Sequence, residues 1–222
     1  MLFVAINPKV LSMYTLYYSP SAASLAVHWM LNEIAAPHEL ILVDFESKQQ
    51  KSADYMKLNP SGMVPTLIVD GEARTECAAL LLLLAERHPQ VMLAPAIGTK
   101  ARSDYLQWML FFANTGQPAY RAWFYPHEPA GEANVDAVKA QARPQIEAIW
   151  NRVDGHLASR TYIAGDKLSA VDFLATMLMR WSRNMPKPAS EWPNLNAYIR
   201  RMRAMPSYLK TLQIEKLTDW VN

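Results

Sequence analysis

Every segment that reads as a β-strand falls in the first third of the chain, and nothing after it does. That asymmetry restricts the fold to a small mixed α/β unit followed by an all-helical one. "MYTLYYS" alternates and is rich in β-formers, so Tyr14–Tyr18 reads as a strand. Pro20 ends it, and the spacing of Leu25, Trp29 and Leu31 predicts a helix over roughly Ala22–Glu33. "HELILVDF" gives a second strand around Glu39–Val43, followed by a short helix near Ser52–Leu58. "PTLIVDGEA" reads as two strands turning at Asp70–Gly71, a strong hairpin signal, and a helix then runs from Glu76 to Arg87, stopped before Pro89. The order is β-α-β-α-β-β-α. Its strand–helix–strand units imply parallel pairing with right-handed crossovers, and the hairpin adds an antiparallel strand.

"HPQVMLAPAIGT", with two prolines, reads as a linker. Beyond it, Lys100–Tyr125 is helical in period and dense in aromatics, with a kink expected near Pro118. Val135–Ala158 is a second long helix, bent at Pro144. "LSAVDFLATMLMRWSR" opens with Ser169 three residues before Asp172, the spacing of a capping box, and buries a stripe of Val171, Leu174, Leu178 and Trp181. Helices over roughly Leu195–Met205 and Pro206–Ile214 finish the chain.

Charge divides the same way. Residues 13–92 carry 5 basic and 9 acidic side chains and residues 93–222 carry 16 and 11, which is either a domain boundary or chance surface variation. The overall charge of +2 argues against a general nucleic-acid binder. No apolar run reaches the roughly 18 residues of a membrane span. "MLFVAINPKVLS" lacks the basic start and apolar centre of a signal peptide and reads as a short extension, with Met13 an alternative start. The single Cys77 excludes an internal disulfide and a cysteine-based zinc site, and is compatible with a cytoplasmic location. The five histidines have no metal-ligand spacing, so no metal is expected.

"YYSPSAASLAVHWMLNE", "NPSGMVPTLIVDG" with the polar pair of "TEC", "AGDKLSAVDF" and "WPNLNAYIRRMRAMPSY" together resemble the glutathione S-transferases, most closely the bacterial beta-type members. The likeness covers nearly everything after Met13. It implies a thioredoxin-like glutathione-binding domain over 13–92 and an all-helical domain over 99–222 that holds a hydrophobic substrate pocket. It also implies a cytoplasmic homodimer of the detoxification type, with glutathione as co-substrate and no metal.

The resemblance also assigns residues. Val64–Pro65 is expected to be cis, with Met63, Val64 and Pro65 offering main chain to the cysteinyl part of glutathione as an added strand would. The alternative is that Pro65 only blunts a strand end. Glu76 and Cys77 should meet the γ-glutamyl end, where free N–H groups at a helix start favour a carboxylate. Alternatively, Glu76 is no more than a cap. Most relatives have serine at Cys77. Two readings stay open: a near-isosteric substitute, or a reactive thiol of lowered pKa. Lys48, with Lys51 as fallback, is the cation for the glycine carboxylate.

The reaction turns on the glutathione thiol, which the family activates with a donor just after the first strand. Ala23 stands where beta-type members have cysteine, so no protein–glutathione mixed disulfide can form there. Ser24 is then the first candidate donor and Tyr18 the second, with Ser19 and Ser21 behind. An ordinary N-terminal helix residue is the other reading of Ser24. Of eight aromatics between Tyr105 and Tyr125, Trp108, Phe112, Tyr120 and Trp123 are the candidates for the hydrophobic pocket, against core packing or a dimer interface. Asn114 and Arg121 are polar groups within that stretch, and the histidine that beta-type members carry near Pro118 is missing. Asp172 is read as structural, and Arg200, Arg201 and Arg203 as a solvated helix face rather than an anion site. The implied activity is transfer of glutathione to a hydrophobic electrophile. The alternatives are a glutathione-dependent disulfide or peroxide reductase, or a non-catalytic glutathione-fold binding protein.

Overall fold

The computed structural model describes residues 14–220. The extension read over residues 1–12 and the alternative start at Met13 lie outside them. Four strands form one sheet in the order β2-β1-β3-β4. β1 (Tyr14–Tyr18) pairs parallel with β2 (His38–Leu42) and antiparallel with β3 (Thr66–Val69), which turns at Asp70–Gly71 into β4 (Glu72–Arg74). The helices of this half are α1 (Ser24–Glu33), α2 (Ala53–Leu58) and α3 (Cys77–Arg87). The order is the one the sequence predicts, with bounds shifted by a residue or two.

The remainder is helical: α4 (Lys100–Phe111), α5 (Gln117–Phe124), α6 (His127–Ala130), α7 (Val135–Leu157), α8 (Ala170–Trp181), α9 (Pro193–Arg203) and α10 (Pro206–Ile214). The expected kink at Pro118 is displaced. The chain widens into a π-helical segment at Phe112–Gly116, which runs on into α5 with Pro118 in its first turn. Pro144 is carried inside α7 without ending it. No helix among the described residues is long and apolar enough to cross a membrane.

α1 shows why the two halves cannot be read apart. Every residue from Ser24 to Asn32 is buried, so it has no solvent face. It packs on β1 and α3 of its own half and on α8 and α10 of the other. Trp29 is the centre of this contact. Its ring lies edge-on to Phe173 and Tyr208 at 4.6 and 4.8 Å, and its Nε1–H donates to Ser207 Oγ at 2.9 Å.

Asp172 holds the start of α8 as the spacing predicts. Its carboxylate accepts from the N–H groups of Ile163 and Ser169 at 2.9 and 2.8 Å, and from the hydroxyls of Ser169 and Tyr198 at 2.9 and 2.8 Å. Burial pushes its pKa up to about 6, against the pull of these donors. An aspartate in the unfolded chain titrates near ~3.9. The folded state therefore holds the proton more tightly. That contribution is complete below about pH 4 and lost as pH rises through about 6. Asp172→Ala, which orphans several buried donors, is expected to cost about 3 kcal/mol or more in urea unfolding. Relative to Asp172→Asn, the wild-type fold should lose stability as pH climbs through that window; a flat difference contradicts the burial argument.

Candidate active site

Three pieces of main chain meet at one end of the sheet. The first is the turn before β3. Val64–Pro65 is cis, and among the described residues nothing pairs with the N–H or C=O of Val64. Its neighbour is clamped instead. The Met63 carbonyl accepts from Tyr55 Oη and from Asn59 Nδ2, both at 2.7 Å, and Tyr55 Oη also lies 2.9 Å from Thr66 Oγ1. Tyr55 and Asn59 are supports that the sequence reading missed; the "NPSG" stretch was its only trace. Lys51 Nζ donates to Ser61 O at 3.1 Å and closes over Gly62, where a Cβ would lie 2.8 Å from both Gln50 O and Lys51 Nζ. Lys48, the first candidate for a carboxylate partner, is exposed in a left-handed turn, while Lys51 lies nearer the Val64 loop.

The second piece is the start of α3. Glu76 is the N-terminal boundary residue at φ +67°, exposed, and its side chain makes no capping bond. A glutamate in this region of φ/ψ is uncommon and is a place where strain collects at a functional site. The N–H groups of the first turn have no partner within the helix and point out of it. Cys77 faces the other way: it is buried, and its thiol donates to the Ala23 carbonyl at 3.3 Å. Burial and the nearby Glu76 charge push that thiol up to about 12.

The third piece is the β1–α1 loop. Ala22 packs against the cluster of Val43, Tyr55 and Val64, and the next residue, Ala23, takes the Cys77 bond, so this loop lies against both other pieces. Ser24 is 0% exposed. Its hydroxyl donates to the Ser19 carbonyl at 3.1 Å and accepts the Ser19 N–H at 3.2 Å, so its one proton is committed to closing the loop. Tyr18 is half-buried; burial and then the Glu215 charge push its pKa up. Ser21, at φ +64°, is held from the helical half at three points. Its N–H donates to Glu215 Oε2 at 3.1 Å, its carbonyl accepts from Trp181 Nε1 at 2.9 Å, and its hydroxyl accepts from Arg180. Glu215 Oε1 lies 2.8 Å from His28 Nδ1, and Arg180 also donates to Asp219.

The aromatics divide. Trp108, Phe112 and Tyr120 are buried in the helical core. Tyr120 accepts from Trp150 Nε1 at 3.0 Å, and Trp108 packs on Phe111 and Phe112. A pocket needs exposed rings, and these three are spent on packing. Trp123 is half-buried. The ring open to solvent is Phe124, 46% exposed, which stacks on Tyr120 and meets Trp181 edge-on at 6.0 Å. Trp181 thus joins an aromatic wall to the Ser21 loop. Arg121 lies 4.2 Å over the Tyr125 ring, pairs with Glu128 and reaches Met63 Sδ at 3.6 Å, while Asn114 is exposed.

Family models for the glutathione S-transferase N-terminal and C-terminal domains match residues 20–87 and 109–206. A glutathione S-transferase of Xanthomonas campestris pv. campestris, GST-4.5, is 32% identical over 206 residues, covering 91% of this chain and 98% of that protein. Among solved structures, a sphingomonad glutathione S-transferase complexed with glutathione superimposes with a TM-score of 0.81 at 32% identity, over 92% of this chain and 100% of that one. The beta-class enzyme of Sphingomonas chungbukensis gives 0.82 at 30% identity over the same shares. A cis turn with free main chain, an open helix start and a loop clamped between two halves thus stand in a chain that belongs to the glutathione S-transferase family.

Proposed function

We propose that the groove takes glutathione as an added strand and activates its thiol for attack on a hydrophobic electrophile. Family membership carries a glutathione transferase-like function. The observation behind this reading is Val64, whose N–H and C=O are without partners among the described residues, beside the open start of α3. An extended cysteinyl residue satisfies both groups as a neighbouring strand does. The γ-glutamyl carboxylate then meets the N–H groups at the start of α3, and its ammonium meets Glu76. Lys51, with Lys48 further out, faces the glycine carboxylate.

A thiol near pKa ~8.5 is mostly protonated at neutral pH, and lowering it by about two units takes about 2.7 kcal/mol. The proton leaves to solvent, the sulfur forms a bond to the electrophilic carbon, and the leaving group departs with the bonding pair. Phe124, Trp181 and Trp123 offer the apolar wall for that second substrate. Reduced glutathione abounds in the cytoplasm, the compartment that fits this chemistry. The partner we expect is a second copy of the chain, packed over a face that includes the exposed Leu106 and Leu110 of α4.

Calorimetry with glutathione and turnover of an aryl-halide panel test the reading; absence of binding at millimolar glutathione sinks it. Glu76→Gly removes the carboxylate and relaxes the positive φ. It is expected to weaken glutathione binding about tenfold while leaving the melting temperature unchanged or higher. Native Cys77 should resist iodoacetamide at pH 8 and react promptly in denaturant, because its thiol is held near 12. Fast labelling of the folded protein would restore the reactive-thiol reading.

A further inference from the structure

Resting on the glutathione transferase reading above, we propose that the Ser21 hydroxyl, not Ser24 or Tyr18, donates to the glutathione sulfur, and that buried Arg180 is the positioning residue that holds and polarises it. The three hydroxyls differ in where their protons go. Ser24 spends its proton on the Ser19 carbonyl and is sealed from solvent. Tyr18 keeps its proton, but burial already disfavours its ionised form, and among the described residues no cation donates to its hydroxyl to polarise it. Ser21 is different. A guanidinium can only donate, so the bond from Arg180 uses a lone pair of Ser21 Oγ and leaves the hydroxyl hydrogen unspent. Among the described residues that hydrogen has no acceptor. A hydroxyl that accepts from a cation is a stronger donor in turn.

Position supports the same assignment. Ser21 is half-buried; its successor Ala22 packs against the cluster that holds Val64, and Ala23 accepts from Cys77. Its main chain is fixed independently by Glu215 and Trp181. The charged groups around it are Arg180 on α8, Arg183 just beyond α8, Glu215 and Asp219 beyond α10, and His28 on α1. Asp219 takes both arginines from the far side, so Arg180 is the charge in contact with the hydroxyl. Arg180 is itself 0% exposed, and its Nε has no partner among the described residues. Burying a guanidinium is costly, and a core leucine or methionine would fill the space on α8 more cheaply.

The test is the ultraviolet thiolate signal of bound glutathione against pH, with calorimetry on the same samples. Ser21→Gly removes the hydroxyl, keeps the main-chain bonds and suits the positive φ, so it isolates the donor without threatening the fold. Its bound-thiol midpoint should rise by about one unit or more, a tenfold loss of thiolate below the midpoint, with Kd for glutathione changed less than about threefold. Arg180→Gln should raise the midpoint too, and should add nothing in the Ser21→Gly background. Tyr18→Phe should leave it in place. A Ser21→Gly midpoint equal to wild type overturns the inference, as does a shift from Arg180→Gln that persists in full without the hydroxyl. If Arg180→Gln does not fold, Ser21→Gly and Tyr18→Phe decide alone. Wild type that fails to bind glutathione overturns the proposed function along with the inference, whereas binding with an unmoved midpoint overturns the inference only.

Discussion

Three hydrogen bonds from the helical half meet on one residue of the first half, Ser21. The groove depends on them. The β1–α1 loop is closed within itself by Ser19, Ala22 and Ser24, but the left-handed Ser21 at its tip is fixed from outside. Glu215, Trp181 and Arg180 give that support from chain positions 159 to 194 residues away. The Val64 turn and the start of α3 then close on a loop already set. Although the groups read as glutathione-binding all lie before residue 92, the site is a property of both halves together.

The strands and their order along the chain were legible because they are short and β-rich, with Pro20 after the first and a turn at Asp70–Gly71 between the last two. The cis turn, Glu76 and Asp172 were legible through the resemblance or through capping spacing. The clamps on the loop were not. Arg180 lies in the last turn of α8, where an arginine usually means a solvated dipole partner; here every residue from Ala170 to Arg180 is buried. Glu215 stands just after α10 and looks like a surface residue until α1 is seen to cover it. Partners this distant leave no local periodicity to read.

Ser24 and Ser21 show a finer limit. Both are hydroxyls in the same loop, and composition cannot rank them. What separates them is which lone pair and which proton are already in use, and that is fixed by Ser19 in one case and Arg180 in the other. The aromatics fail in the same way. Density between Tyr105 and Tyr125 marks a place where rings gather, but Phe112, at the start of the π-helical segment, and Tyr120, after it, both lie in the core, and Phe124 is left exposed. A one-residue widening of a helix rotates everything after it, and no residue in "FANTG" announces that.

Backbone strain alone would not have found the site. Eight non-glycine residues among those described have positive φ, and most, such as Ala35, Asp70 and Met92, sit in turns where one left-handed residue reverses the chain. Ser21 and Glu76 differ because they come from separate elements and flank one groove, with Ala22, Ala23 and Cys77 between them. Each costs on the order of 1–3 kcal/mol, and the buried Arg180 adds its own desolvation. Chance does not concentrate such costs around one open stretch of main chain. A fold selected for stability alone would place glycine at both positions and an aliphatic side chain on α8. That it does none of these is the physical reason to place the chemistry at this groove.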